Sequence, residues 1–425
     1  MTKNNIIISQ ILIFFAITSF FLGFYFDEIP MGAGGYNGDF AFVLKSIDLF
    51  NNNSIKNSIL LLSETSNRPP LIYILHKLLN PFFNDELNFR RTVFLISLII
   101  PILFYLCLKE KFQNTNKILL ILLSSIILLN PNVRNSSYWG LEENYAIIAS
   151  LVSFLIYLKI SKQKKINSEI SLIKIFIITL SSSLCVYFDQ KFIIVPAICF
   201  LKIVFGNYSK ESKILSVLFY IFFSIPYVFL ILIWGGILPP RDIYHIGSQF
   251  HLHHFGFGLT MIAFTIFPFL IFQIEKIKYN FKKLLSNKNF FWLFLFILIY
   301  VSILVFFYDN EFLNNKLDGG GIVKKLSFIF FSDLLSKQLF VYSSFILSWI
   351  FIFFIIKKNK DLLIILYFLI IAVITKPFYQ EYFDPIFFIL LFFFFSIDFK
   401  INYLKIYIFY FYHLIFLVGT ISYYL

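Results

Sequence analysis

Long runs of apolar residues without a charge recur along the whole chain. The first extends from Ile6 to Phe26 and is followed at once by two carboxylates, Asp27 and Glu28. An apolar run of about 20 residues crosses the hydrocarbon core of a bilayer as a helix. Hydrophobic residues make up 59% of the chain and charged residues only 14%, a balance that excludes an ordinary soluble domain. The predicted fold class is an all-α polytopic membrane protein.

The apolar runs predict about 13 transmembrane helices in a single transmembrane domain over residues 1–425. They lie approximately at 6–26, 91–108, 117–130, 145–160, 171–187, 191–205, 213–234, 257–274, 289–308, 338–356, 361–375, 385–398 and 405–424. The longest predicted loop, 27–90, contains an amphipathic stretch at 40–50 and an apolar stretch at 71–83 that is too short to span. We expect the stretch at 40–50 to lie flat in the interface as a juxtamembrane helix at the outer face, and the stretch at 71–83 to be half-inserted in the membrane before the second span.

The placement of lysine predicts the orientation of the chain in the membrane. Short loops such as 109–111, 161–165 and 357–360 are rich in lysine, and the positive-inside rule places them, with the N-terminus, in the cytoplasm. The net charge of +13 therefore reflects topology, and we predict membrane lipids rather than nucleic acid as partners. The lysine- and asparagine-rich composition favours a bacterial inner membrane, with the active site facing the periplasm. The alternative is a eukaryotic reticulum membrane, in which the topology would be the same.

All the arginines of the chain fall on the predicted outer side. They are Arg68, Arg90, Arg91, Arg134 and Arg241. The planar guanidinium can hold a phosphate through two parallel hydrogen bonds, whereas a lysine ammonium is a point charge. This sidedness favours recognition of an anion at the outer face, the alternative being ordinary loop arginines.

Asp27 and Glu28 are the strongest candidates for chemistry. Two acids at the C-terminal end of a helix oppose its dipole, and their presence against this local rule favours a functional role, such as that of a general base. The alternative is a solvated helix end.

Further candidates lie in the other predicted outer loops. Those with substrate-binding chemistry are Asp39, Tyr138, Glu142, Glu143, His245, His251, Tyr379, Glu381 and Tyr382, and Lys191 is a candidate for binding phosphate. The structural alternatives are helix capping for the acids and an interfacial aromatic belt for the tyrosines. Neither the histidines nor the three cysteines have the spacing of a known metal site, so no metal ligands are assigned; a divalent cation stays open as a cofactor.

Together these features resemble the GT-C superfamily of polytopic glycosyltransferases. The Asp27-Glu28 pair after the first span is similar to that family's Asp-Glu motif. The segment 67–71, Asn-Arg-Pro-Pro-Leu, resembles the Pro-Pro-Leu segment of protein O-mannosyltransferases and of lipid A aminoarabinose transferases. Gly235-Gly236-Ile237, with His245 and His251 downstream, is similar to the dolichol-pathway α-1,2-glucosyltransferase. Arg68 stands where an Asp or His often precedes Pro-Pro, which leaves the acceptor class open.

The resemblance implies a reaction and roles for the residues. The donor would be a polyprenyl-phosphate-linked sugar and the acceptor a glycolipid, a glycan or a protein. Asp27 would take the proton of the attacking hydroxyl, with Glu28 supporting it or binding metal, and the anomeric centre would invert. Four cations would stabilise the leaving phosphate as it gains charge: Arg68, Arg134, Lys191 and Arg241.

Two other functions are compatible with an outward-facing membrane protein. A flippase or transporter of polyisoprenoid-linked glycans would carry paired charges within its spans, which the nearly charge-free spans disfavour. An O-antigen-type polymerase or ligase usually relies on one large outer loop late in the chain, rather than on an acidic pair in the first outer loop.

Overall fold

The computed structural model describes residues 3–31, 34–65, 68–162, 168–237, 252–273, 319–355, 383–394 and 402–424, together with 294, 297, 298, 301, 313, 369, 370 and 379. Within these ranges the regular elements are all helical, and two residues, Ser168 and Tyr208, form an isolated bridge. The all-α class predicted from the sequence is confirmed for this part of the chain.

The helices follow one another with short connections. They are α1 Lys3–Tyr25, α2 Asp39–Asn52, α3 Ile55–Thr65, α4 Leu71–Leu79, α5 Glu86–Ser97, α6 Ile99–Lys111, α7 Lys117–Ser125, α8 Pro131–Tyr138, α9 Glu143–Ser161, α10 Leu172–Phe188, α11 Ile194–Val204, α12 Lys210–Trp234, α13 Leu252–Ile266, α14 Gly321–Phe330, α15 Leu334–Ile355, α16 Asp384–Ile389 and α17 Tyr403–Tyr424. Short 3-10 helices occupy Ile126–Leu129, Gln190–Ile193 and Phe267–Gln273, and a π-helix occupies Leu390–Phe394.

Six of the described helical stretches are long and apolar enough to cross a membrane. They are Lys3–Tyr25, Glu86–Lys111, Glu143–Ser161, Lys210–Trp234, Leu334–Ile352 and Tyr403–Ser422. The pair Lys117–Leu129 and Pro131–Tyr138, bent by 63°, would make a seventh if it is one span. Several long apolar helices of this kind characterise an integral membrane protein.

The number of spans predicted from the sequence is larger than the number of long helices. The predicted spans 171–187 and 191–205 are helical as Leu172–Phe188 and Ile194–Val204, but these helices have only 17 and 11 residues. The predicted spans 289–308 and 361–375 lie almost entirely outside the described residues. The figure of about 13 spans therefore stays a prediction.

The chain divides into two compact units. The first comprises Met1–Asp242 and Ile401–Leu425, and the second Ile243–Lys400. In the first unit the C-terminal helix α17 packs on α1, and the hydroxyls of Tyr407 and Tyr410 donate to the carbonyls of Asn5 and Leu12 at 3.0 and 2.8 Å. In the second unit α13 packs against α14, α15 and α16. The predicted single domain over 1–425 is not tested by this division.

Helix α8 is the element that positions the candidate site in the first unit. Asn130 caps it, since its Oδ1 accepts from the backbone N–H groups of Asn132 and Val133 at 2.8 and 3.3 Å, and Pro131 occupies the first helical position, as helix starts favour. All eight residues of α8 are buried. Gly140, at φ 68°, then allows the chain to turn into α9. A polar helix buried in this way brings hydrogen-bonding groups into the interior beside the end of α1.

Candidate functional site

The C-terminal end of α1 has the geometry of a Schellman motif. The N–H of Glu28 donates to the carbonyl of Gly23 at 2.9 Å, and the N–H of Asp27 to the carbonyl of Phe24 at 3.4 Å. In this motif the residue that ends the helix adopts the left-handed conformation and is usually glycine. Here it is Asp27, at φ 50°. The motif reverses the chain between the two acids, so their side chains point to different partners.

Asp27 remains open to solvent on one side. Its Oδ1 accepts from Nη2 of Arg90 at 2.5 Å, and its side chain is 62% exposed. Its second oxygen, Oδ2, makes no hydrogen bond to the residues that the structure describes. One end of the carboxylate is thus fixed and the other is accessible.

Arg90 is held rigidly around this contact. Its Nε donates to the carbonyl of Tyr138 at 2.7 Å, and its guanidinium lies 4.2 Å from the ring centroid of Trp139. The rings of Phe24 and Phe40 lie on it at 5.5 and 5.6 Å. Hydrogen bonding and stacking of this kind fix the plane of a guanidinium, so Arg90 orients Asp27.

Glu28 is mostly buried and is paired with a different arginine. Its Oε1 accepts from Nε of Arg134 at 2.8 Å, and its Oε2 accepts from Nη2 at 2.5 Å. Arg134 is fully buried and also donates to the carbonyls of Ser19 and Leu128 at 2.9 and 3.2 Å. The carboxylate and the guanidinium satisfy each other through two parallel hydrogen bonds. This pair ties α8 to the end of α1.

Two aromatic residues complete the connection between α8 and α1. The hydroxyl of Tyr138 donates to the carbonyl of Phe20 at 2.8 Å, and Nε1 of Trp139 donates to the carbonyl of Glu28 at 3.1 Å. Tyr138, predicted to bind substrate, is fully buried. In this structure its hydroxyl and its ring therefore connect α8 to α1.

A second group of charged residues also contacts α8, and we call it the carboxylate cluster. Its members are Asp39, Arg68, Glu142, Glu143, Asp189 and Lys191. Arg68 is central: it contacts Glu142 at 2.7 Å, Asp39 at 3.4 Å and Glu143 at 3.8 Å. Four elements distant in sequence therefore meet at one place.

Lys191 neutralises the other end of the cluster. Its Nζ lies 3.3 Å from Oε1 of Glu143 and 3.1 Å from Oδ2 of Asp189. Asp189 caps the short 3-10 helix Gln190–Ile193, because its Oδ1 accepts from the N–H of Lys191 at 3.0 Å. The tight turn between α10 and α11 thus presents an acid and a base together.

Helix α8 links the carboxylate cluster to the end of α1. Nδ2 of Asn135 donates to Asp39 at 3.3 Å, and the hydroxyl of Ser136 donates to Glu143 at 3.1 Å. The adjacent Arg134 holds Glu28. One buried helix turn therefore contacts both groups of acids.

Acids outnumber bases in the carboxylate cluster. Four carboxylates face two cations, which would leave two negative charges unbalanced if every carboxyl were ionised. Burial raises the pKa of Asp39 and Asp189, and it raises the pKa of Glu142 to about 8 despite the opposing effect of Arg68. The desolvated charged form is disfavoured, so burial favours the protonated form of Glu142, whereas Lys191 and Arg68 lower the pKa of the adjacent Glu143.

Three carboxylates of the cluster suit a divalent cation by chemistry. Glu142, Glu143 and Asp189 each offer an oxygen, and these oxygens all lie within 4.8 Å of one another. Carboxylate oxygens are the ligands that Mg²⁺ and Ca²⁺ prefer. Lys191, however, already contacts two of the three.

The structure brings together most of the described residues that the sequence singled out. Asp39, Arg68, Glu142, Glu143 and Lys191 meet in the carboxylate cluster, whereas Asp27, Glu28, Arg134 and Tyr138 meet at the end of α1. Tyr379 belongs to the second unit. Arg241, His245, His251, Glu381 and Tyr382 lie outside the described residues, and their roles stay predictions.

From the sequence, Arg90 was only one of five outer-face arginines, without an individual role, and Asp189 had no site role. Both had visible signals: Arg90 opens the second predicted span on the arginine-rich side, and Asp189 is two residues from Lys191. Their importance depends on contacts with Asp27 and Glu143, which are distant in sequence. Only the folded chain identifies such partners.

No protein-family model, curated protein or solved structure matches this chain.

Proposed function

We propose that this chain is an inverting membrane glycosyltransferase. It moves a sugar from a polyprenyl-phosphate-sugar donor to a glycolipid, glycan or protein acceptor at the outer, periplasmic face of a bacterial inner membrane. Asp27 is the general base. The observation that supports this proposal is the carboxylate of Asp27, fixed at one oxygen by Arg90 at 2.5 Å and exposed at the other.

A general base needs a fixed direction and an accessible lone pair. It must come within about 3 Å of the hydroxyl whose proton it removes. Arg90 provides the direction, and the exposed Oδ2 provides the acceptor. The left-handed backbone of Asp27 is a local strain of the kind that is retained at functional sites.

Glu28 has a supporting role in this proposal. Because both of its oxygens accept from Arg134, it holds the turn that presents Asp27. A substitution of Glu28 would then act on activity by displacing Asp27.

The cations of the carboxylate cluster are the candidates for the donor phosphate. Arg68 and Lys191 are partly exposed, whereas Arg134 is fully buried. A phosphate that binds Arg68 must compete with Glu142 and Asp39. Glu142 can remain neutral when Arg68 turns to the phosphate, because burial raises its pKa. Cations next to the leaving phosphate stabilise the charge that develops on it.

Donor turnover tests the proposal directly. The full chain in nanodiscs is incubated with a panel of polyprenyl-phosphate sugars, with and without a crude glycolipid acceptor, and released polyprenyl phosphate is measured. We expect turnover by the wild type and a loss of about 100-fold or more in Asp27→Asn, the range for removal of a general base. Asp48→Asn is the matched control, since Asp48 is an exposed acid of the same predicted loop.

The outcomes separate the competing functions. Equal turnover by the wild type and Asp27→Asn would exclude Asp27 as the base. Absence of turnover with every donor, combined with movement of lipid-linked glycan across the bilayer of proteoliposomes, would replace the transferase with a flippase.

A further inference from the structure

A chain of hydrogen bonds surrounds the buried His76 at the connection between α4 and α5. Nε2 of His76 lies 2.6 Å from the hydroxyl of Tyr145 in α9, and Nδ1 lies 3.1 Å from Nδ2 of Asn80. Nδ2 of Asn80 also donates to the hydroxyl of Thr92 in α5 at 3.4 Å. His76 is only 4% exposed, so these bonds join α4, α5 and α9 in the interior of the first unit.

The chain of hydrogen bonds fixes the position of the proton on His76. Oδ1 of Asn80 accepts from the backbone N–H of Phe82 at 3.0 Å, and a backbone N–H can only donate. The amide of Asn80 therefore presents its NH2 group to Nδ1 of His76, which must accept. A neutral imidazole carries one N–H, so this hydrogen lies on Nε2 and is donated to Tyr145.

A second proton on His76 would have no acceptor. It would bind to Nδ1 and face the NH2 group of Asn80, so that two donors would meet. Turning over the Asn80 amide would instead place its NH2 group against the N–H of Phe82. The rings of Phe89 and Phe83 pack on the imidazole at centroid distances of 4.6 and 6.4 Å. Burial of this kind disfavours the charged form and lowers the pKa of His76 from 6.5 to about 4.

The charged groups on the surrounding elements are committed to other partners. On α4 itself, the ammonium of Lys77 donates to two carbonyls at the end of α2. On α5, Arg90 donates to the acid at the end of α1, and Glu86 accepts from a tyrosine hydroxyl. Asp85 accepts from the backbone at the start of α5. Among the residues that the structure describes, the titratable group in contact with the imidazole is Tyr145.

We propose that His76 and Asn80 form an acid-sensitive latch, in which a proton on Nδ1 of His76 breaks the contact with Asn80 and releases the connection between α4 and α5. The stability that the latch contributes is fully present above pH 6.5 and is lost as the pH falls toward 4, because the unfolded chain binds the proton more readily. Since α5 carries Arg90, the latch places the partner of Asp27 under the control of pH. The inference rests on these hydrogen bonds and not on the proposed glycosyl transfer.

The charge state of His76 in the full-length protein tests the proposal. Side-chain ¹⁵N NMR of histidine-labelled protein in detergent distinguishes the two neutral tautomers from the cation. The signal of His76 is the one that is missing in His76→Gln. We expect the neutral form with hydrogen on Nε2 at pH 5.5, where a histidine with the ordinary pKa of about 6.5 is mostly charged.

Asn80→Asp should invert the latch. The carboxylate keeps an acceptor for the N–H of Phe82, and its second oxygen accepts from Nδ1 of a charged His76, which favours the cation. We therefore expect His76 to be charged at pH 7 in this variant. Asn84→Asp is the matched control, because it adds the same charge at an exposed position of the same turn, and His76 should titrate there as in the wild type.

Hydrogen exchange reports whether the turn opens. The amides of residues 80–85 should exchange faster in the wild type than in Asn80→Asp at pH 4, and at similar rates at pH 7. Comparison at one pH removes the effect of pH on the chemical rate of exchange.

Either of two results would overturn the proposal. The first is a folded wild type in which His76 is charged at pH 5.5, and the second is equal exchange of the turn in the wild type and Asn80→Asp at pH 4. If Asn80→Asp fails to fold, Asn80→Ala removes the opposing NH2 group, and His76 should then become charged at a higher pH than in the wild type; an unchanged titration would contradict the latch. These measurements involve no sugar donor, so failure of this proposal is distinguishable from failure of the proposed function.

Discussion

Asp27 and Glu28 are adjacent acids, and each is paired with an arginine, but the two pairs differ in nearly every physical respect. The Glu28 side chain is 14% exposed and accepts two hydrogen bonds from the buried Arg134. The Asp27 side chain is 62% exposed and accepts one, from Arg90. The difference originates in the Schellman motif at the end of α1, which directs consecutive side chains to opposite environments.

The comparison separates a structural pair from a candidate chemical group. A buried pair with both oxygens satisfied has no lone pair to offer a substrate, and its loss mainly affects stability. An exposed carboxylate with one fixed oxygen contributes little to stability and can act on a ligand. The following changes test this division, from the largest expected effect on stability to the smallest.

Arg134→Met should have the largest effect. It leaves the Glu28 carboxylate without its partner in a mostly buried position, and breaking such a pair lowers the free energy of unfolding by about 3–5 kcal/mol. Equilibrium unfolding in mixed detergent micelles measures the change. Arg91→Met is the control, because Arg91 is exposed and bonds only to Asn88 of its own helix, at 3.1 Å, among the contacts of the described residues. Equal destabilisation by both changes would contradict a structural role for the buried pair.

Gly23→Ala should have the next largest effect. A Cβ at Gly23 would lie 2.5 Å from the hydroxyl of Tyr138 and 2.6 Å from both Nη2 of Arg134 and Oε2 of Glu28. These atoms are held by hydrogen bonds, so we expect a loss of about 1–3 kcal/mol, typical of overpacking. Gly419→Ala, where a Cβ meets nothing within 4 Å, should leave the thermal unfolding temperature unchanged or slightly higher. Similar melting curves for the two variants would count against the tight approach at Gly23.

The carboxylate cluster should make stability depend on pH. Burial raises the pKa of Glu142 from 4.5 to about 8, so the folded protein binds a proton there that the unfolded chain has lost. Stability from this group is therefore fully present below pH 4.5 and declines as the pH rises toward 8. We expect a lower unfolding temperature at pH 8.5 than at pH 6.5, and a smaller difference in Glu142→Gln. An unfolding temperature that increases over this interval in the wild type alone would contradict a protonated Glu142.

Asp27→Asn should change stability least. Asp27 is 62% exposed, and the buried Arg90 keeps its hydrogen bond to the carbonyl of Tyr138 after the substitution. We therefore expect a loss of about 0–1 kcal/mol, as for exposed ion pairs. Asparagine also tolerates the left-handed conformation. The free energy of unfolding of Asp27→Asn, measured under the same conditions as that of Arg134→Met, should change little even if donor turnover is lost. A destabilisation as large as that of Arg134→Met would place both acids in the same structural role.

The apolar runs of the sequence predicted helices that the structure confirms, whereas the number of spans stays a prediction. The first predicted span, 6–26, corresponds to Lys3–Tyr25, and 213–234 corresponds to Lys210–Trp234. Hydropathy does not register the bend of 63° before Pro131–Tyr138. That buried helix is polar. It is capped by Asn130, and it contacts Glu28 and Asp39, which lie far from it in the sequence.

Hydropathy and composition were enough to predict a membrane protein, helical over the residues that the structure describes, with acids at the end of its first helix. These properties are local, so they can be read along the chain. The sequence also indicated which polar residues of the predicted outer loops are candidates for a functional site. Three contacts became known only from the folded chain: Glu28 pairs with the buried Arg134, Asp27 lies exposed beside Arg90, and Lys191 lies between Glu143 and Asp189. A buried charge needs an oppositely charged partner, because removing it from water is costly. Which residue becomes that partner depends on how the chain folds and not on adjacency in the sequence.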